Sequence, residues 1–311
     1  MTKRPALSIL IPFYHDDPTS LLSALISQTV EQSVEVLLYD DGTSDAEVNA
    51  RLRAIAKGSA LPVTLMLEAV NKGRSAARNA LFARAKSDWV LFLDADMMPE
   101  TDSFLQTYLS AIKGENCDVI FGGFKMSDKP EGPDTALHHA FSKTSDCLSA
   151  QERSEKGPQY VCSSNLAVRA SVLKAEPFDT GFKGWGWEDS EWAARIAKSY
   201  RLLHIDNAAY HLGLEGTQTL LNRFRDSADN YRRFTDKHQE LAQSLTLYKM
   251  TRRLGAVPGQ ALMRPVLSML VANRLKIVPM RLRLLALKLW RASWYAQSFK
   301  AARPPFKERA A

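Results

Sequence analysis

Asp94-Ala95-Asp96 follows the apolar run Trp89-Val90-Leu91-Phe92-Leu93, and Gly184-Trp185-Gly186-Trp187-Glu188-Asp189 comes about ninety residues later. Two acids just past a five-residue apolar run have no core to join, so they face a ligand, a cation or solvent. Oxygen donors in that position suit Mn²⁺ or Mg²⁺ beside a phosphate better than zinc. In the second stretch, glycines at 181, 184 and 186 let a ligand approach the backbone, and Trp185 and Trp187 offer flat faces for sugar rings. Asp189 stands at the start of a helix expected over residues 190–198, whose dipole favours an ionised carboxylate able to accept a proton. Plainer uses of the same residues are a solvated loop at 94–96 and a capping Asp beside core tryptophans. Trp192 is assigned to the core.

Three further groups qualify. Asp40-Asp41-Gly42-Thr43-Ser44 follows an apolar run directly, where acids can accept from a base edge or a ribose hydroxyl; an ordinary strand-to-helix turn would use the same residues. Asn71-Lys72-Gly73-Arg74-Ser75-Ala76-Ala77-Arg78-Asn79 opens a helix with a permissive glycine and three cations, which suits a diphosphate as well as a solvated basic face. His211 lies after an expected strand and before a Gly-rich turn, and is either a structural residue or the imidazole of a divalent-metal shell. His138 and His139 have no partner pattern.

The elements that must position these groups follow from periodicity. Leu7–Ile11, Val34–Tyr39, Val63–Leu67 and Trp89–Leu93 are short β-branched and aliphatic runs, separated by helical patterns at Ser20–Gln28, Asp45–Lys57 and Arg74–Lys86. This alternation predicts an α/β fold with a mixed, mostly parallel sheet flanked by helices. From Phe124 to Gln159 the chain reads as long connections around a helix near Asp134–Leu148. Apolar periodicity returns at Tyr160–Val168 and Arg201–Ile205, and one long helix is expected from Gln218 to about Thr235. Beyond Leu245 a helical appendage is expected, broken near Pro258, Pro265 and Pro279.

Charge divides the chain more sharply than its net +7 indicates. Residues 246–311 hold 14 of the 41 Lys and Arg and a single acid, Glu308, so residues 1–245 are net acidic and poorly suited to tracking a nucleic acid backbone. The basic tail, with Trp290, Trp294 and many Leu and Met, reads as helices lying on an anionic membrane surface. Packing on protein is the alternative for the tail, and single-strand nucleic acid binding is a further one that the acidic body disfavours. The longest uncharged tail run, Pro265–Asn273, is half of what a spanning helix needs, and Pro12 ends the first apolar run too soon for a signal peptide; neither a bilayer crossing nor secretion is expected. Cys117, Cys147 and Cys162 read as buried thiols in a reducing compartment.

Taken together, Ser8-Ile9-Leu10-Ile11-Pro12-Phe13-Tyr14, Asp40-Asp41-Gly42-Thr43, Asn71-Lys72-Gly73 with Ala77-Arg78-Asn79, Asp94-Ala95-Asp96 and Gly184-Trp185-Gly186-Trp187-Glu188-Asp189 resemble a family 2 glycosyltransferase of the GT-A fold over residues 6–215. The later half resembles the segment shared by β-1,4-galactosyltransferases and chondroitin-type polymerases. The resemblance implies that Pro12, Phe13, Asp41 and Arg78 hold the nucleoside and phosphates of a nucleotide sugar, with Tyr14, Asn71 and Gly73 beside them. It implies that Asp94 and Asp96 bind ribose and Mn²⁺ or Mg²⁺, with His211 as the late metal ligand, and that Asp189 is the base. Glu188 would orient the acceptor and Trp185 line its site. Tyr14 and His15 replace residues that are basic in the galactosyltransferases, and Trp187 replaces a small residue and would narrow the acceptor pocket.

The expected function is inverting, metal-dependent transfer from a UDP sugar to a hydroxyl of a glycan or lipid-linked acceptor, at the cytoplasmic face of the cell membrane. A catalytically silent scaffold of the same fold is the alternative. The expected division is a transferase domain over 1–245, with a nucleotide half (1–123) and an acceptor half (124–245), and a basic helical tail over 246–311.

Overall fold

The computed structural model describes residues 4–300 except Glu115. These divide into two compact units, the first ending at Glu215 and the second beginning at Gly216. The division falls about thirty residues before the change in composition at 245, because helices 217–244 pack with the basic helices that follow them.

In the first unit the strands are β1 (Leu7–Phe13), β2 (Val34–Asp40), β3 (Val63–Leu67), β4 (Trp89–Leu93), β5 (Met97–Pro99), β6 (Val119–Phe121), β7 (Phe124–Lys125), β8 (Asn165–Arg169), β9 (Leu202–His204) and β10 (Ala209–His211). The helices are α1 (Thr19–Ile26), α2 (Ala46–Gly58), α3 (Arg74–Phe82), α4 (Phe104–Gly114), α5 (Ala136–Ser145), α6 (Ala150–Lys156), α7 (Ala170–Ala175) and α8 (Glu188–Ile196). A seven-stranded sheet runs β3-β2-β1-β4-β8-β6-β9, and a small sheet runs β5-β10-β7. β1, β2, β3 and β4 are mutually parallel, whereas β8 is antiparallel to both β4 and β6.

Alternation along β1 shows why the sheet has helices on both faces. Leu7, Ile9, Ile11 and Phe13 join one buried cluster with α1, α2 and α4, while Leu10 joins the opposite one with α3, α7 and α8. Both faces being dry, the strands read as continuous apolar runs. Strand order reverses between β1 and β4, so the carboxyl ends of those strands, at Phe13 and Leu93, border the crevice where open α/β sheets bind ligands.

The second unit contains α9 (Thr217–Asp226), α10 (Ala228–Lys237), α11 (Gln239–Ser244), α12 (Thr246–Ala256), α13 (Arg264–Ala272) and α14 (Met280–Lys300). The single helix expected over 218–235 is two, parted at Ser227, whose hydroxyl bonds Phe224 O and the Tyr295 hydroxyl instead of leaving the ladder intact. Pro258 and Pro279 do lie at breaks, but Pro265 sits in the first turn of α13, where its missing N–H costs nothing. Tyr231 stacks on Tyr295 at 4.4 Å and anchors α10 to α14. Among the described residues no single helix is long and apolar enough to cross a bilayer; Thr246–Ala256 and Gln260–Ala272 reach that composition only as a pair bent by 112°. Cys117 is buried, but Cys147 and Cys162 are only half-buried.

Candidate functional site

The crevice at the β1/β4 reversal is assembled from several chain segments of the first unit. Asp41, just past β2, donates its N–H to Phe13 O at 2.9 Å and accepts from Lys72 N and Gly73 N at 2.8 and 2.9 Å. Its carboxylate therefore pins the loop that opens α3. Gly42 is required in this turn: its φ is +91° and a Cβ would lie 2.5 Å from Asn71 N. Asp40 is spent on structure, bonding Thr43 N, Ser44 N and Asn49 Nδ2.

Gly73 caps α3 with φ +90° and no side-chain cap, which leaves the helix-start N–H groups free of a capping side chain. One and a half turns on, Arg78 is 1% exposed. Its Nη2 donates to Asp94 Oδ1 at 2.9 Å, while Nε and Nη1 have no hydrogen-bond partner among the described residues. Burial opposes the charge on Arg78, yet Asp94, Asp189 and Glu188 outweigh it and hold the guanidinium protonated.

Strand pairing brings the distant acids together. β4 and β8 run antiparallel with Leu93 opposite Asn165, so Asp94 N–H donates to Ser164 O at 3.3 Å. The neighbouring Ser163 is fully buried and donates its N–H and hydroxyl to Asp189 Oδ2 and Oδ1, at 3.0 and 2.8 Å. Asp94 and Asp189, ninety-five positions apart, are thus held by consecutive residues. Arg74 faces Glu188 at 3.7 Å from α3, beside the same acids.

Asp96 and His211 meet by a second pairing. β5 and β10 are antiparallel with Met97 opposite His211, which sets Asp96 Oδ2 at 3.1 Å from His211 Nε2. A Cβ at Gly213 would collide with Asp96 Oδ2, so only glycine allows this approach. Burial raises the Asp96 carboxyl, but the hydrogen bond and charge of His211 prevail and lower it; His211 is correspondingly raised by Asp96 against its own burial. The His211 Nδ1 atom is buried without a hydrogen-bond partner among the described residues, and the His138 ring lies 6.1 Å away, itself held by Glu215 N–H.

The donor pair fits a hard cation that takes its remaining ligands from phosphate and water; among the described residues no three acid, His or Cys side chains form a closed cage.

The remaining predicted residues lie around this centre. Pro12 is half-buried opposite Tyr39, and the Phe13 ring joins the core, which leaves its backbone to face the crevice. Tyr14 and His15 are exposed on the rim, their rings 4.0 Å apart, and Asn71 is exposed beside Gly42. Trp185 and Trp187 are half-buried, and Trp187 caps α8 with φ +76°, a left-handed conformation uncommon for a bulky residue.

Glu188 is buried, with Oε2 unpartnered among the described residues; burial first and then the Asp189 charge raise its proton affinity, against Arg74 and Arg78. A carboxyl raised in the folded state costs stability once pH passes the ordinary carboxylate range near 4. Glu188→Gln is therefore expected to raise Tm by about 2–4 °C at pH 7 and to lose that gain toward about pH 4. Thermal melts across pH check it; a lower Tm at pH 7 would show Glu188 to be a stabilising core residue.

The sequence pattern passes over Ser163 and Gly213, and gives His138 no partner. A direction for the strand near residue 165 would have found Ser163, because antiparallel pairing with β4 puts it beside Asp94.

The model of glycosyl transferase family 2 matches residues 8–175. An uncharacterized glycosyltransferase of Haemophilus influenzae is 34% identical over 138 residues, 41% of this chain and 45% of that protein. The chain spans about half the length of the first curated relatives it matches. An undecaprenyl-phosphate 4-deoxy-4-formamido-L-arabinose transferase of Aeromonas hydrophila is 33% identical over 115 residues, 35% of this chain and 34% of that protein. The mannosyltransferase PcManGT of Pyrobaculum calidifontis, solved with GDP-Man and Mn²⁺, superposes with a TM-score of 0.60 at 17% identity, over 97% of this chain and 89% of that one. TarS 1–349 of S. aureus with UDP-GlcNAc gives 0.52 at 18%, over 95% and 90%. These likenesses establish the GT-A fold. With more than half of its residues matched by the family model, the chain belongs to glycosyl transferase family 2.

Proposed function

We propose that the protein transfers a sugar from a nucleoside diphosphate sugar, a UDP sugar first, to a hydroxyl of a glycan or lipid-linked acceptor with inversion at the anomeric carbon. The observation that carries this reading is the bracket of Ser163 and Ser164, which holds Asp189 and Asp94 at one crevice with Arg78 beside them. The donor's diphosphate lies against the start of α3 and Arg78, with the nucleoside toward Asp41 and Asp94. Asp96 and His211 would hold Mn²⁺ or Mg²⁺, which when bound would offset charge on the departing diphosphate. The acceptor oxygen attacks the anomeric carbon from the opposite face and passes its proton to the Asp189 carboxylate. The carbon–oxygen bond to the β-phosphate breaks, and its electron pair leaves with the nucleoside diphosphate. Trp185, Trp187 and Glu188 bound the acceptor side.

A relative named for an undecaprenyl-phosphate substrate supports a lipid-linked acceptor, and the basic second unit supports work at the inner face of a cell membrane.

A thermal-shift screen of nucleotide sugars with and without Mn²⁺ tests the donor site. At a hundredfold excess over Kd the preferred donor with Mn²⁺ should raise Tm by about 5–10 °C. Asp96→Ala should keep less than a third of that shift, and Gly213→Ala, which drives a Cβ into Asp96, should behave alike. Equal shifts in wild type and Asp96→Ala would remove Asp96 from the metal site, and a GDP sugar outperforming every UDP sugar would reassign the donor.

A further inference from the structure

We infer that the second unit docks on an anionic lipid bilayer through the tip of the α13–α14 hairpin and the outer face of α13. This deepens the membrane-face reading above by assigning the contact.

The two helices run antiparallel. Arg264 at the start of α13 bonds Ser293, and Arg283 near the start of α14 bonds Val271 O at 3.0 Å. Residues 273–279 therefore form the tip. Its sequence alternates Arg274-Leu275-Lys276-Ile277, and Leu275 and Ile277 are 79% and 75% exposed. Two large aliphatic side chains this bare at a turn find no cover among the described residues.

The turn that displays them is built. Asn273 takes φ +46° and closes a reciprocal pair with Val278, Nδ2 to Val278 O at 3.1 Å and Val278 N to Oδ1 at 2.9 Å. Lys276 N–H returns to Asn273 O at 2.8 Å. Ordering entropy is thus settled before anything binds, which favours docking.

The flank of α13 continues the patch. Leu267 and Val271 point inward and are buried, whereas Val266 and Met269 on the other side are 57% and 71% exposed, and Leu262, in the turn just before the helix, is 83% exposed. A helix apolar on both sides is one that expects an apolar neighbour on each.

Charge selects that neighbour. No acid lies between Glu240 and Glu308, and Arg252, Arg253, Arg274, Lys276, Arg281 and Lys288 are exposed. Exposed aliphatic side chains interleaved with the exposed cations Arg274 and Lys276 match acyl chains beneath an anionic headgroup layer. A second copy would bring like charge against like.

The test is flotation with vesicles of one part phosphatidylglycerol to three parts phosphatidylcholine, against phosphatidylcholine alone. Wild-type protein should float with the anionic vesicles and lose binding as salt rises. Leu275→Asn with Ile277→Asn changes only exposed side chains, and should lower the partition coefficient at least tenfold with Tm unchanged. Arg274→Ala with Arg281→Ala should lower it about fivefold per cation at low salt. Equal flotation of wild type and the Leu275/Ile277 variant would overturn the assignment. So would absence of wild-type binding to anionic vesicles, or a dimer in sedimentation that the same variant dissolves while no vesicle is bound. Nucleotide-sugar thermal shift on the same samples keeps this outcome apart from the transferase reading, because that binding needs none of these residues.

Discussion

Asp189→Asn is expected to lower turnover by about 10²–10⁴-fold, the usual contribution of a positioned general base, while donor binding stays as in the wild type. The geometry makes this a clean substitution. Ser163 N–H and its hydroxyl donate to Asp189 Oδ2 and Oδ1 at 3.0 and 2.8 Å. An Asn in the same rotamer still accepts from the backbone N–H, and its amide donates to the serine hydroxyl, which turns to accept. The bracket survives, and only the capacity to take up a proton is lost. Turnover would be measured as nucleoside diphosphate released in the presence of a membrane extract as acceptor source, and donor binding by thermal shift. Turnover within threefold of wild type would place the base elsewhere and end the role proposed for α8. A loss of donor binding together with turnover would make Asp189 a brace for the donor crevice.

How much of this was legible beforehand depends on the range of the interaction. β1 to β4 and the helices between them follow from local apolar periodicity, and their bounds differ from expectation by a few residues at most. Asp94 and Asp96 were found because acids directly after a buried strand have nothing local to do. Convergence of Asp94 with Asp189 rests on something the text does not carry, the antiparallel insertion of β8 beside β4 in an otherwise parallel sheet. Pattern alone gives a strand but no direction, so Ser163 stayed hidden although it touches both oxygens of Asp189. The same holds for Gly213, whose need is set by a side chain over a hundred positions earlier. Conversely, local reading does not show that Asp41 also holds the α3 loop, both its oxygens accepting backbone N–H groups there. In the second unit, composition located the cations, but only the fold separates Arg283, bonded inside the hairpin, from Arg274 and Arg281 on its surface.

Arg78→Met is expected to weaken nucleoside diphosphate binding by about 100-fold, with a much smaller effect on folding. Arg78 is 1% exposed, bonds Asp94 Oδ1 at 2.9 Å through Nη2, and has Nε and Nη1 without partners among the described residues. Buried donors left unpaired cost about 1–3 kcal/mol each, more when charged, so a chain that keeps them gains when an anion arrives to accept. A diphosphate at the start of α3 is such an anion, and two charge-assisted hydrogen bonds at about 1.5 kcal/mol each account for the 100-fold. Met fills the aliphatic part of the space near Phe178, whose ring centre is 5.8 Å from the guanidinium carbon. Asp94 is left without its cation, but its side chain is 25% exposed and can be hydrated, so the penalty falls below that of a fully buried charge. Arg78→Lys, which keeps the charge but not the planar fork, should lose about tenfold. Lys72→Met is the contrasting case. Lys72 is half-exposed and paired with Glu68 at 2.7 Å, so its loss should change binding less than about threefold. Calorimetric titration with UDP and Mn²⁺, alongside Tm, separates the outcomes. If Arg78→Met melts far below the wild type but binds UDP with unchanged affinity, Arg78 is a structural counter-charge for Asp94 and the diphosphate must be held by other donors at the helix start.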